Sequence, residues 1–343
     1  MSSNMSCLRL VKFAAFIAVG LLVSLIVLIR VGVSSLFEER KKRKERKSPP
    51  SCMTDLDLEV MHDFVTLDDV TLHYVSAGDP KSQLMIFLHG FPDFWFTWQK
   101  QIPEFKKDYW VVAPDMRGCG ESSKPESVAA YKLPLLVHDI RCLIEKLGKG
   151  RQAVVVGHDW GGIVAWSLAA FYPALVHHLI IINAPHPQAM SELLCSSLDQ
   201  MKRSWYIVAF QFPMMARWLL QRNDFQFMDV GLKGYGSEEL EALKYTFSQP
   251  GVLQSAMNYY RANFFNLGST RPGSIQVPTL IIWGENDTAL SSRLARMSMR
   301  WTSGRLELLP DVGHWAHREC PENTNQHIRS FLEGREPWEF VAL

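Results

Sequence analysis

The chain has 343 residues, of which 47% are hydrophobic and 21% charged, and that balance excludes both a disordered chain and a membrane protein of many spans. Thirty-six basic residues meet 35 acidic ones for a net charge of +1, so no global basic excess exists to attract nucleic acid. Six cysteines, at positions 7, 52, 119, 142, 195 and 320, form no C-x-x-C pair and no cluster with zinc spacing. They read as thiols buried in a reduced compartment, not as a disulfide framework. No metal site, phosphate loop or nucleotide fingerprint is expected, and no cofactor.

Residues 13–29 form a run of 17 residues without a charge. Arg30 interrupts it, and residues 31–37 are again mostly apolar. A spanning helix needs about 20 apolar residues, which the run reaches if Arg30 snorkels to the headgroups. A cleaved signal peptide is the alternative, but its apolar region is normally about 7–15 residues and ends at small residues. Here EERKKRKERK follows at 38–47. Arg9 and Lys12 precede the run, whereas Arg30, Arg40, Lys41, Lys42, Arg43, Lys44, Arg46 and Lys47 follow it. Eight basic residues against two place the C-terminal side in the cytosol. The basic run reads as a flank touching anionic lipid. Ser48-Pro49-Pro50-Ser51 reads as a stiff linker, so residues 1–50 are expected to be an anchor and its linker.

From about residue 60, short apolar runs alternate with helical stretches. The runs at 84–88, 110–113, 153–156, 179–182, 279–283 and 305–309 are expected strands, several of them apolar throughout and so covered on both faces. Alternation with helices implies a parallel sheet of βαβ units. Residues 64–66 and 71–75 flank a short turn and suggest an antiparallel lead-in hairpin. Residues 188–268, rich in Met and aromatic residues at helical spacing, read as a helical insertion between core parts at 60–187 and 269–335.

The strongest chemical signal is Gly157-His158-Asp159-Trp160-Gly161-Gly162, between an expected strand and an expected helix. Its spacing is that of the G-x-S-x-G elbow with Asp in the serine position. A carboxylate is a poor nucleophile for acyl transfer. It suits displacement at an sp³ carbon with a strained or good leaving group, which leaves an ester that water must hydrolyse. Asp287, in Gly284-Glu285-Asn286-Asp287, and His314, in Gly313-His314-Trp315, each follow an expected strand. His314 is the candidate base for that water and Asp287 its orienting partner. His89-Gly90-Phe91-Pro92 follows an early strand, and the N–H groups of Phe91 and Trp160 are candidates for an oxyanion hole at the Asp159 carbonyl. A lone Asp in such a turn is more often a cap, and a lone Gly-His more often structural. Four elements in order, each after an expected strand, reverse that weighting.

These motifs resemble the epoxide hydrolase branch of the α/β-hydrolase superfamily, over about residues 60–335: HGFP at 89–92, RGCGES at 117–122, GHDWGG at 157–162 and GHW at 313–315. The N-terminal run resembles the membrane-anchored animal forms. The resemblance implies an α/β-hydrolase fold with a helical lid and two lid tyrosines that donate to the epoxide oxygen. Position matching gives Tyr206 and, in Asn258-Tyr259-Tyr260-Arg261, Tyr260. It implies an epoxide and water as reactants, with membrane lipid met through the N-terminal helix. Trp95, Trp98 and the aromatic lid suggest an apolar pocket for lipid-like epoxides, unless these rings are simply core.

A haloalkane dehalogenase remains an alternative, since it shares the Asp nucleophile and the following Trp; against it, Phe91 stands where a halide-binding Asn often occurs. A non-catalytic tethered scaffold is a further alternative. The expected location is the endoplasmic reticulum membrane with the catalytic part in the cytosol. Asn286-Asp287-Thr288 is a glycosylation sequon containing the candidate acid, which argues against a luminal site.

Overall fold

The computed structural model describes residues 2–37, 41, 43–54, 58–266 and 273–335. Arg40 and Lys42 of the basic run, and the expected boundary at 268–269, lie outside them.

Eight strands form one sheet: β1 (Met61–Thr66), β2 (Thr71–Ala77), β3 (Gln83–Leu88), β4 (Tyr109–Pro114), β5 (Ala153–His158), β6 (Val176–Ile182), β7 (Thr279–Gly284) and β8 (Arg305–Leu309), in the order β1-β2-β4-β3-β5-β6-β7-β8. All six expected apolar runs are strands. The lead-in hairpin is antiparallel with Thr66 opposite Thr71, β2 runs antiparallel to β4, and every other pairing is parallel. β5 and β7 are buried at every position, because helices cover both faces of the sheet. The helices Leu133–Gly148 and Trp160–Phe171 supply much of that cover, with Leu136, Ile140, Leu143, Val164, Trp166 and Leu168 at 0–1% exposure.

The RGCGES segment is structural. Arg117 is fully buried and forks onto two carboxylates: Nε and Nη2 donate to Asp139 at 2.7 and 2.6 Å, while Nη1 and Nη2 donate to Asp69 at 3.0 and 2.9 Å. That bidentate geometry offsets the cost of burying the charges. The pair ties the loop after β4 to the β1–β2 turn and to the helix Leu133–Gly148.

Between β6 and β7 the described chain is helical: Pro187–Leu194, Leu198–Arg203, Trp205–Ala209, Pro213–Gly231, Ser237–Ser248 and Val252–Asn263. The fourth is broken at Arg222–Phe225, where Asn223, Asp224 and Phe225 have positive φ of 48°, 61° and 61°.

The N-terminal helix, Ser2–Phe37, contains a 25-residue stretch, Leu10–Ser34, long and apolar enough to cross a membrane. The helix packs along the lid, with Phe16 fully buried and Phe13 against Phe264 at a ring separation of 5.4 Å. The basic run is also partly engaged with protein. Arg46 donates to Asp224 at 2.7 Å and to Glu241 at 3.2 Å, and Lys44 Nζ reaches Glu241 at 3.3 Å.

Cys119 and Cys142 are buried, whereas Cys52, Cys195 and Cys320 are half-buried.

Candidate active site

Asp159 occupies the turn between β5 and the helix Trp160–Phe171, with φ 50° and ψ −120°. A non-glycine residue held there costs about 1–3 kcal/mol and persists only where its surroundings fix it. Two glycines allow the turn. A Cβ on Gly157 would lie 2.6 Å from Gly161 O, and one on Gly161 would lie 2.1 Å from Leu88 O. The sharp turn aims the Asp159 carboxylate away from the sheet into a cavity beneath the lid.

One oxygen of that carboxylate, Oδ1, accepts the Phe91 N–H at 2.9 Å. The Phe91–Pro92 peptide is cis. Among the described residues no hydrogen bond runs from the Trp160 N–H to the carboxylate. The Trp160 indole packs edge-on to Tyr260, ring centroids 5.2 Å apart.

On the other side of the carboxylate, His314 Nε2 stands 3.7 Å from Asp159 Oδ2. His314 Nδ1 is bonded to Asp287 Oδ2 at 2.6 Å. Asp287 is itself fixed by four contacts: that imidazole, the Asn183 amide at 2.9 Å, and the N–H groups of Ala289 and Leu290 at 2.8 and 2.9 Å. Asn183 follows β6 and was not singled out in the sequence; its Oδ1 also accepts the Gly284 N–H at 3.1 Å. No motif announces it, because its role depends on β6 and β7 being neighbours.

Burial of His314 disfavours its cation, but Asp287 and Asp159 outweigh burial and push the imidazole up to about 10. Burial likewise opposes the Asp159 charge, and His314 with the Phe91 N–H holds the carboxyl below its ordinary value. Behind this pair lies a second imidazole, His158, whose Nε2 bonds the His314 carbonyl at 3.0 Å. Burial first, and the nearby His314 second, lower it to about 3, so it is neutral and structural.

The lid closes the cavity from above. Tyr206, on Trp205–Ala209, and Tyr260, on Val252–Asn263, meet edge-to-face with ring centroids 5.7 Å apart. Both line the same cavity as Asp159, His314 and Phe91. Burial and then the Asp159 charge raise both phenols, so both remain protonated donors at neutral pH. The cavity holds about 460 Å³, and Leu219, Leu220, Phe227 and Val230 line it as well.

Trp95 does not belong to this cavity, contrary to expectation. It is 2% exposed, its N–H donates to Asp115 at 3.0 Å, and its ring packs edge-on to His62 and Phe96. Trp98 is core too, against Phe87 and His317. The short helical turn after HGFP points these rings into the sheet's cover and not under the lid. Away from the cavity, Asp68, His138 and Cys142 bring ligand atoms within 4.8 Å of one another. His138 Nε2 bonds Asp68 at 2.8 Å, which accounts for the grouping without an ion.

An elbow carboxylate, a histidine–aspartate pair and a helical lid on a mostly parallel sheet define an α/β-hydrolase. Comparison with known proteins agrees, as the family model described as the alpha/beta hydrolase fold matches residues 83–319. Epoxide hydrolase 4 of Homo sapiens is 38% identical over 307 residues, covering 85% of this chain and 84% of that protein. Epoxide hydrolase 3 of Mus musculus is 38% identical over 309 residues, covering 84% and 83%. The crystal structure of the Bacillus megaterium epoxide hydrolase in complex with an inhibitor superposes with a TM-score of 0.73 at 31% identity, over 79% of this chain and all of that one. The chain belongs to the epoxide hydrolase family of α/β-hydrolases.

Proposed function

We propose that the protein opens epoxides to vicinal diols through an ester on Asp159. The carboxylate attacks an epoxide carbon, the C–O bond breaks, and Tyr206 and Tyr260 donate hydrogen bonds and a proton to the departing oxygen. The new ester no longer carries the negative charge of Asp159. One of the two influences that raise His314 therefore disappears and its pKa falls, so the imidazolium gives up its proton, the phenolate regains one, and the now neutral imidazole can take a proton from water. The hydroxide formed attacks the ester carbonyl, whose developing oxyanion meets the Phe91 N–H and, in this reading, that of Trp160. The acyl C–O bond breaks, the diol leaves, and Asp287 holds His314 in its working tautomer throughout.

The observation that carries the reading is the convergence of nucleophile, base and two protonated phenols on one apolar cavity. The apolar lining supports a lipid-like substrate. The long apolar helix supports attachment to a membrane, and the basic asymmetry with the sequon at Asn286 supports the cytosolic face of the endoplasmic reticulum. The lid phenols favour epoxide over haloalkane, because halide release forms no alkoxide to protonate. Incubating the purified full chain with alkyl and aryl epoxides, beside Asp159→Ala, tests this. Diol formation by the wild type alone is expected; equal rates for the two proteins would overturn the assignment.

A further inference from the structure

The apolar N-terminal helix has a second role written on one of its faces. Phe16, Gly20, Ser24, Val27 and Val31 recur at spacings of four, four, three and four residues, which aligns them on a single helical stripe. Phe16 and Ser24 on it are buried, at 0% and 6% exposure. Gly20 abuts the lid helix that carries Tyr206, and a Cβ there would lie 2.4 Å from Val208 Cγ2. Ser34 accepts a bond from Arg222 at the break in the lid. Farther round the helix, Leu22, Leu25 and Ile29 are 54–59% exposed.

Val27 and Val31 on this stripe line the same cavity as Asp159, Tyr206 and His314. They do so together with Leu219, Phe227 and Val230, and Val230 is 77% exposed, which marks this end as the mouth. The cavity therefore has a polar inner end, where bonds are broken, and an apolar outer end walled partly by the N-terminal helix. A helix that served only to anchor has no need of a face complementary to the lid, nor of side chains in the cavity. An apolar outer end beside an apolar helix receives hydrocarbon at little desolvation cost, and each methylene buried there adds to binding.

We propose that Val27 and Val31 are substrate-contacting residues, and that the outer cavity they wall binds the alkyl tail of an epoxide supplied from a lipid phase. The inference rests on reading the inner end as the epoxide site. The helix then both holds the enzyme at the lipid and selects its substrate by tail.

The test uses the full chain in lipid nanodiscs with 1,2-epoxyhexane and 1,2-epoxydodecane. Val27→Trp and Val31→Trp fill the outer cavity and are expected to lower the kcat/KM ratio of long to short epoxide by about tenfold or more. Leu22→Trp and Leu25→Trp, on the outward face, are expected to leave the ratio unchanged. An unchanged ratio in both wall variants, or the same fall in the outward pair, overturns the proposal. A binding readout separates it from the inner-site chemistry. In an Asp159→Ala background, Val31→Cys is labelled by a maleimide, and labelling is followed on the peptide holding residue 31. Dodecane-1,2-diol is expected to protect it and hexane-1,2-diol is not. Absence of protection by the long diol overturns the tail site, whereas protection alongside an otherwise wild-type chain that turns over no epoxide overturns only the reading of the inner end.

Discussion

His314 Nε2 stands 3.7 Å from Asp159 Oδ2, too far for a hydrogen bond and near enough for strong attraction between charges. In the proposed mechanism the two groups act in succession: Asp159 must be free to move onto carbon, and His314 must later receive a proton from water at the same place.

Charge coupling across that gap gives a pH signature. With the native imidazole at about 10 against 6.5 unfolded, its contribution to stability is fully present below about pH 6.5 and is lost as pH rises through about 10. Asp159→Asn removes one of the two carboxylates that raise His314. The His314 midpoint, followed by NMR of the imidazole protons, is expected to fall below that of the wild type. Melting temperature is expected to decline between pH 7 and 10 more steeply in the wild type than in the variant. Identical histidine midpoints in the two proteins would show that Asp159 has no hold on His314.

Succession also predicts a trapped intermediate. In the proposed mechanism Asp159 needs no base to attack, whereas ester hydrolysis needs His314. His314→Gln should accumulate an adduct of mass enzyme plus epoxide, mapping to the peptide that contains Asp159, and Asp159→Ala should give none. In the wild type, one turnover in ¹⁸O water should label the Asp159 carboxylate and leave the first diol unlabelled. Label in that first diol would mean that water attacks the epoxide directly.

The two phenols share one oxygen in the proposed transition state, so neither is expected to be dispensable. Tyr206→Phe and Tyr260→Phe should each slow the alkylation step by roughly 10–10³-fold, the range of a lost proton donor, with the double variant near background. Single-turnover rates on one epoxide measure this. Full activity in Tyr260→Phe would take that residue out of the mechanism.

Stability is expected to depend on Arg117 far more than on exposed ion pairs. Arg117→Met leaves Asp139 buried without its fork, and a broken buried pair costs about 3–5 kcal/mol. Arg296→Met, whose side chain is 56% exposed beside Glu285, should lose about 1 kcal/mol or less. Denaturant midpoints of the two variants compare them directly.

Much of this was legible in the chain, for identifiable reasons. Strands such as β5 and β7 are mostly apolar and end in glycine or next to it, so their burial is written in composition. Asp159, Asp287 and His314 each sit past a strand, and parallel strands deliver their C-terminal ends to one edge of the sheet. Asn183 sits past β6 in the same way, but a lone Asn after a strand has no signature until its partners are known. Trp95 misled because an aromatic residue after HGFP reads alike whether it faces the lid or the sheet; only the turn's direction decides. The contact between the N-terminal helix and the lid was not legible for a related reason. An apolar stripe facing a lid disappears inside a helix that is apolar nearly all round, leaving Gly20 and Ser24 as its marks.

Gly90 provides the sharpest test of how the nucleophile is held. It precedes Phe91, whose N–H meets Asp159 Oδ1 at 2.9 Å. A Cβ on Gly90 would lie 2.4 Å from both Asp159 Cβ and Oδ1, closer than real Cβ contacts come. Something must shift, and most of the loop around it is buried, with His89 and Asp93 at 1% exposure. The carboxylate therefore gives way, swinging off the Phe91 amide and out of line with His314. Gly90→Ala is expected to reduce kcat by about 10²–10³-fold, the effect of losing one oxyanion donor. Overpacking should add a stability cost of about 1–3 kcal/mol, so rates are compared well below the melting temperature. Gly273→Ala, with nothing within 4 Å of its Cβ, is the matched control and should keep full activity. If Gly90→Ala turns over epoxide at the wild-type rate while its melting temperature falls, the Phe91 amide is a packing contact and the oxyanion must be stabilised elsewhere.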